Sequence, residues 1–70
     1  MSVARVVEIS STSPKSFEDA ITQGISRANQ TLRNVKSAWV KEQEAEVNDG
    51  KVIAYKVNLK VTFVLDGTAA

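Results

Sequence analysis

The stretch Val52–Leu65, VIAYKVNLKVTFVL, decides how the rest of the chain is read. From Ile53 onward every odd position is apolar: Ile53, Tyr55, Val57, Leu59, Val61, Phe63 and Leu65. Lys56, Asn58, Lys60 and Thr62 between them are polar. Alternation with period two marks a strand with one face in a core and the other elsewhere. The run contains no Gly or Pro and is rich in β-branched and aromatic residues, which suit a pleated, half-buried surface. Such a strand is roughly 45 Å long at about 3.3 Å per residue. A globule of this length should have a radius of gyration near ~11 Å. The strand is too long for it, so one end should project and be covered by another copy of the chain.

Immediately upstream, Asn48-Asp49-Gly50-Lys51 separates two β-like runs, and Asp-Gly in that setting is a strong hairpin signal. A second strand over about 37–48 is therefore expected to pair antiparallel with a third over about 51–65. Counting back from a two-residue loop places Asn48 opposite Lys51 and Trp39 opposite Lys60. Ala38 and Val40 then share the inner face with Val61 and Leu59. An unbroken register also puts Glu42, Glu44 and Glu46 on that face, opposite Val57, Tyr55 and Ile53. Three carboxylates are tolerable there only if the hairpin tip extends beyond the core.

Further upstream, Phe17, Ala20, Ile21, Gly24, Ile25, Ala28, Leu32 and Val35 follow helical spacing, with Lys15, Asp19, Gln23, Ser26, Gln30 and Arg33 on the other side. This predicts one amphipathic helix over about 14–33, with Ser13 as N-cap, Pro14 in the first helical position and Glu18 and Asp19 near the positive dipole end. The small residues Ala20, Gly24 and Ala28 let it lie close to a sheet. Val3–Ser10 reads as a first strand and Asp66–Ala70 as a small tail. The expected fold is α+β, one domain over 1–70 in β-α-β-β order, with a three-stranded antiparallel sheet partly wrapped around the helix.

Seventy residues are at the small end of what folds alone, and such chains often add disulfides, metals or oligomerisation. The chain has no Cys and no His, which removes disulfides, thiolate metal sites, the commonest general base and the commonest transition-metal ligand. Oligomerisation is left as the means of enlarging the core, and no enzyme activity is expected. Nine basic and eight acidic residues leave a formal charge of +1, giving no footprint for nucleic acid. No apolar run approaches the roughly 20 residues of a membrane span. The opening MSVARVVEIS lacks the apolar core of a signal peptide. A cytoplasmic location is expected.

The strand VVEI followed by STSP, the helical segment F-E-D-A-I…G-I-S-R-A-N-Q-T-L-R-N-V and the ending D-G-K-V…Y-K-V-N-L-K-V-T-F-V-L-D-G together resemble the dodecin family. The resemblance runs from about Val3 to Gly67. It implies a hollow dodecamer of cubic symmetry, no catalysis and, in many members, flavins held in pairs at twofold axes. It also implies a departure. Ser37 stands where flavin-binding members carry a stacking Trp, Lys56 where they carry a Gln on the ring's polar edge, and Glu44 where bacterial members carry a phosphate-holding Arg. Flavin is accordingly less expected here than in typical dodecins, and the chain resembles the flavin-less branch, some members of which are associated with calcium.

Three function classes follow. The first is an oligomeric shell sequestering a small ligand or ion without the usual stacked-flavin site. The second is a dodecin storing riboflavin or FMN at a relocated site, with Trp39 beside Lys60 as the stacking platform; the competing role for Trp39 is subunit packing under the Lys60 ammonium. The third is a structural or partner-binding module. Glu42, Glu44 and Glu46 are candidate ligands for calcium or another divalent cation. Same-face residues lie roughly 7 Å apart along a strand, so several copies would have to meet around one ion; an ordinary salt-bridged charge ladder is the competing reading.

Overall fold

Asp49 and Gly50 form a two-residue turn in which both have positive φ, 54° and 76°. That combination defines the tight hairpin turn whose twist matches the flanking strands, and Asp-Gly is a favoured pair for it. The turn joins β2 (Val35–Asn48) to β3 (Lys51–Val64). β1 (Ala4–Ser13) pairs with the other edge of β3, so the antiparallel sheet runs β1-β3-β2 with the long strand at its centre. A single helix, α1 (Phe17–Thr31), completes the β-α-β-β order. This computed structural model describes residues 3–65; the expected tail over Asp66–Ala70 lies outside them.

The helix starts later than its spacing suggests. Ser16, not Ser13, is the N-cap, its hydroxyl accepting from the Asp19 N–H at 2.9 Å. Ser13 is drawn away because β1 continues beside the long β3 as far as the Ser13–Tyr55 pair. There its buried hydroxyl donates to the Asp19 carboxylate at 2.6 Å and accepts from the Lys15 N–H at 3.0 Å. Helix α1 ends as the Leu32 N–H bonds Ala28 O, and Asn34, with φ of 60°, turns the chain so that Val35 begins β2 instead of extending the helix.

Val57, Leu59 and Val61 of β3 are completely buried and form the core with Ala20. Burial of side chains this size is worth about 1.5–3 kcal/mol each. Val7 and Ile9 of β1 and Ile21 and Ile25 of α1 pack around them. Close approach of helix to sheet depends on Gly24: a Cβ there would come within 3.0 Å of Ser11 Cβ and 3.2 Å of Leu59 Cδ1. The helix lies over β1 and β3 and hardly reaches β2. Phe17 meets Tyr55 edge-on with ring centroids 5.0 Å apart, at the limit of the covered sheet.

Beyond that limit the hairpin projects. The molecule measures 54 × 19 × 14 Å with a radius of gyration of 14.4 Å, well above the roughly 11 Å of a compact chain this long. Val47, Val52 and Ile53 at the tip are 61%, 50% and 53% exposed.

Inside the hairpin the register differs from an unbroken count. The ends agree with it: Trp39 pairs with Lys60 and Asn48 with Lys51. Between them Lys41 is an extra residue on β2, and Ile53 is an extra residue on β3 that restores the phase. The intervening pairs are Glu42–Asn58, Glu44–Lys56 and Glu46–Ala54. The three glutamates therefore lie on the outer face, not the core face expected for them. The physical reason is desolvation. Carboxylates against Val57 and Tyr55 would each lose water without gaining a partner, whereas one bulge sets all three on the polar side.

Candidate functional site

Because of the bulges, the outer face of the sheet, opposite α1, gathers most of the polar chemistry. β2 contributes Ser37, Trp39, Glu42, Glu44 and Glu46; β3 contributes Lys56, Asn58, Lys60 and Thr62; β1 contributes Glu8, Ser10 and Thr12. Alternation fixes these directions once the register is set. At the centre, Glu42, Gln43, Glu44, Lys56 and Asn58 line an open depression of about 360 Å³.

The side chains in and around it are partnered with one another. Asn58 Nδ2 donates to Glu42 Oε1 at 3.0 Å. Lys56 Nζ lies 3.9 Å from Glu44 Oε1, an ion pair open to solvent. The bulge residue Lys41 reaches across the face to Glu8 on β1, donating to Oε2 at 3.1 Å. The hydrogen bond to Glu8 and its negative charge hold the Lys41 ammonium above the ordinary lysine pKa. The Lys60 ammonium sits 5.7 Å from the Trp39 ring centroid, within cation–π range. Trp39 is half exposed.

The residues singled out in the sequence thus meet on one surface in two groups. Glu44 and Lys56 form a pair beside Glu42, while Ser37 lies at the other end, next to Trp39 and Lys60 along the strands. Glu46 stands apart, opposite Ala54. Among the described residues no three acidic side chains converge to hold a metal ion within one chain. Sequence reasoning overlooked the Lys41–Glu8 bridge and the Asn58–Glu42 bond, since both depend on a bulge at a lysine, a residue type that carries no bulge signal. The excess of glutamates on an expected core face was the clue available.

Ser37 is exposed and presents a hydroxyl in place of an aromatic face, and Lys56 is engaged with Glu44. Trp39 is the aromatic surface available nearby, with Lys60 already over its ring.

Comparison with known proteins agrees with this architecture. A family model described as dodecin matches residues 3–66. The calcium dodecin of Mycobacterium tuberculosis is 36% identical over 63 residues, covering 90% of this chain and 89% of the relative. A solved dodecin from Streptomyces davaonensis superposes with a TM-score of 0.89 at 42% identity, covering 93% of this chain and 96% of that one. The crystal structure of the calcium-chelating calcium dodecin from Mycobacterium tuberculosis, described as having a novel calcium-binding site, superposes with a TM-score of 0.81 at 32% identity over 99% of both chains.

Proposed function

The chain belongs to the dodecin family, and from that premise we propose that it is a non-enzymatic homo-oligomeric shell, a dodecamer, holding a small charged ligand or ion on the outer sheet face instead of a stacked flavin. One observation carries the reading: Ser37, Glu44 and Lys56, the positions that the family resemblance assigns to flavin, present a hydroxyl and a 3.9 Å ion pair. Stacking of a ring on an aromatic side chain contributes about 1–3 kcal/mol, and Ser37 supplies none of it. The carboxylates Glu42 and Glu44, further along the same face, suit a hard cation, which takes six to eight oxygen ligands. One chain's outer face brings Glu42 and Glu44 together, so a complete shell of ligands requires the faces of several copies. The 36% identity to a calcium dodecin supports calcium as the first ion to test.

A second reading rests on Trp39. It is half exposed and two residues from Ser37 on the same face, so a flavin could stack there on the side away from Lys60. Titration of the assembled protein separates the two. Calcium should give a saturable calorimetric signal that Glu42→Gln and Glu44→Gln each weaken, and riboflavin should leave Trp39 fluorescence unquenched. Saturable quenching by riboflavin, absent in Trp39→Phe, would overturn the proposal in favour of a relocated flavin site.

A further inference from the structure

We propose that Lys56 is the internal competitor of the cation site: its ammonium holds the glutamate ladder while no ion is bound, and a divalent ion must displace it. The inference rests on the cation reading above and adds what sets the affinity for that ion. Lys56 stands at the middle of the ladder. It pairs with Glu44 across the strands, and Glu42 and Glu46 are its diagonal neighbours on the same face. Diagonal neighbours lie roughly 7–8 Å apart, within reach of a long side chain. The ammonium is 3.9 Å from Glu44 Oε1, and Lys56 lines the same depression as Glu42 and Glu44.

The residues on its other sides do not draw Lys56 away. Its partner on β1 is Thr12, and Ala54 and Asn58 flank it on the same face of β3. Lys41 is the contrast. It adjoins Glu42 in sequence, yet Glu8 on β1 holds its ammonium at 3.1 Å, and the Glu42 carboxylate accepts from the neutral Asn58 amide instead. One lysine is tied off outside the ladder, and the other is seated in it. A divalent ion on Glu44 therefore meets an ammonium at close range, and like charges there repel. Symmetry multiplies the effect, because identical copies that meet around one ion bring a Lys56 with every Glu44. When the ion leaves, the ammonium returns and relieves the repulsion among the carboxylates. This exchange makes the ion loosely held and readily released.

Calorimetric calcium titration of the assembled protein tests the competition with matched changes of charge. Lys56→Gln and Lys56→Met should bind calcium roughly three- to tenfold more tightly than wild type. Lys56→Arg, which keeps the charge, should bind no more tightly than wild type. The Lys56 side chain is 38% exposed, so both neutral variants should fold and size like wild type. Lys41→Gln removes the same charge nearby but should alter the affinity less than about twofold, because Glu8 already holds that ammonium away. Neutral Lys56 variants that bind no more tightly than wild type, or a gain in Lys41→Gln as great as theirs, overturn the competition and leave the cation reading standing. Calcium binding by the neutral variants with none detected in wild type is the competition in its strongest form and supports it. Absence of calcium binding in wild type and in every variant defeats the cation reading, and this inference with it.

Discussion

The two halves of the β2–β3 hairpin share an alternating pattern and differ in what covers it. In the half nearest the helix, Val57, Leu59 and Val61 lose all contact with water. In the distal half, Val47, Val52 and Ile53 stay half exposed, although their residue types are as apolar. The difference is one of cover, not of sequence. α1 spans Phe17–Thr31, about 22 Å at 1.5 Å per residue, and β3 outruns it. A strand that continues its apolar alternation beyond its own helix is constructed for a neighbour. The same contrast explains the bulges: the distal half keeps its carboxylates on the outer face only because Lys41 shifts the phase.

Substitutions along the chain should separate the halves, beginning with the greatest effect. Leu59→Ala removes a buried side chain from the core, and urea unfolding should show a loss of about 3 kcal/mol. An equal loss from Ile53→Ala in dissociated protein would erase the distinction, because in a single chain that change should stay within about 0.5 kcal/mol. Between these, Ser13→Ala removes the donor of the part-buried Asp19 carboxylate contact and should cost about 2 kcal/mol, while Ser16→Ala removes the helix cap for about 1 kcal/mol. Both lie at the helix-covered end and should leave assembly of the folded protein unchanged in sizing experiments.

The smallest effect concerns pH. Lys41 is held above the ordinary lysine pKa by Glu8. The folded state therefore favours the ammonium, and its contribution is fully present below the ordinary lysine value and lost as pH rises through the higher folded one. Urea midpoints of wild type and Lys41→Gln should differ slightly at neutral pH and converge as the pH rises through the raised Lys41 value. Divergence at high pH would contradict the bridge.

Much of this was legible in the residues. Period-two apolarity gave the central strand, Asp49-Gly50 the turn, and the strand's excess length the overhang. Trp39 opposite Lys60 could be counted from the turn because the extra residues at Lys41 and Ile53 cancel between the two ends. What lay between them could not be counted, as a bulge at a lysine or an isoleucine leaves no mark in composition. The helix start was misread for a similar reason: Ser13 and Ser16 are equally good caps by type, and the choice was made by β3, which holds Ser13 in the sheet. The candidate site was legible as a set of residues but not as a surface, since its glutamates change face with the bulge.

The central claim, that the exposed distal half is covered by other copies, is tested most directly by the mass of the wild-type protein in solution. Sedimentation equilibrium at micromolar concentration should give about 91 kDa, twelve chains of 7.6 kDa each. A stable species of 7.6 kDa would contradict it, leaving Val47, Val52 and Ile53 exposed with no partner to explain them.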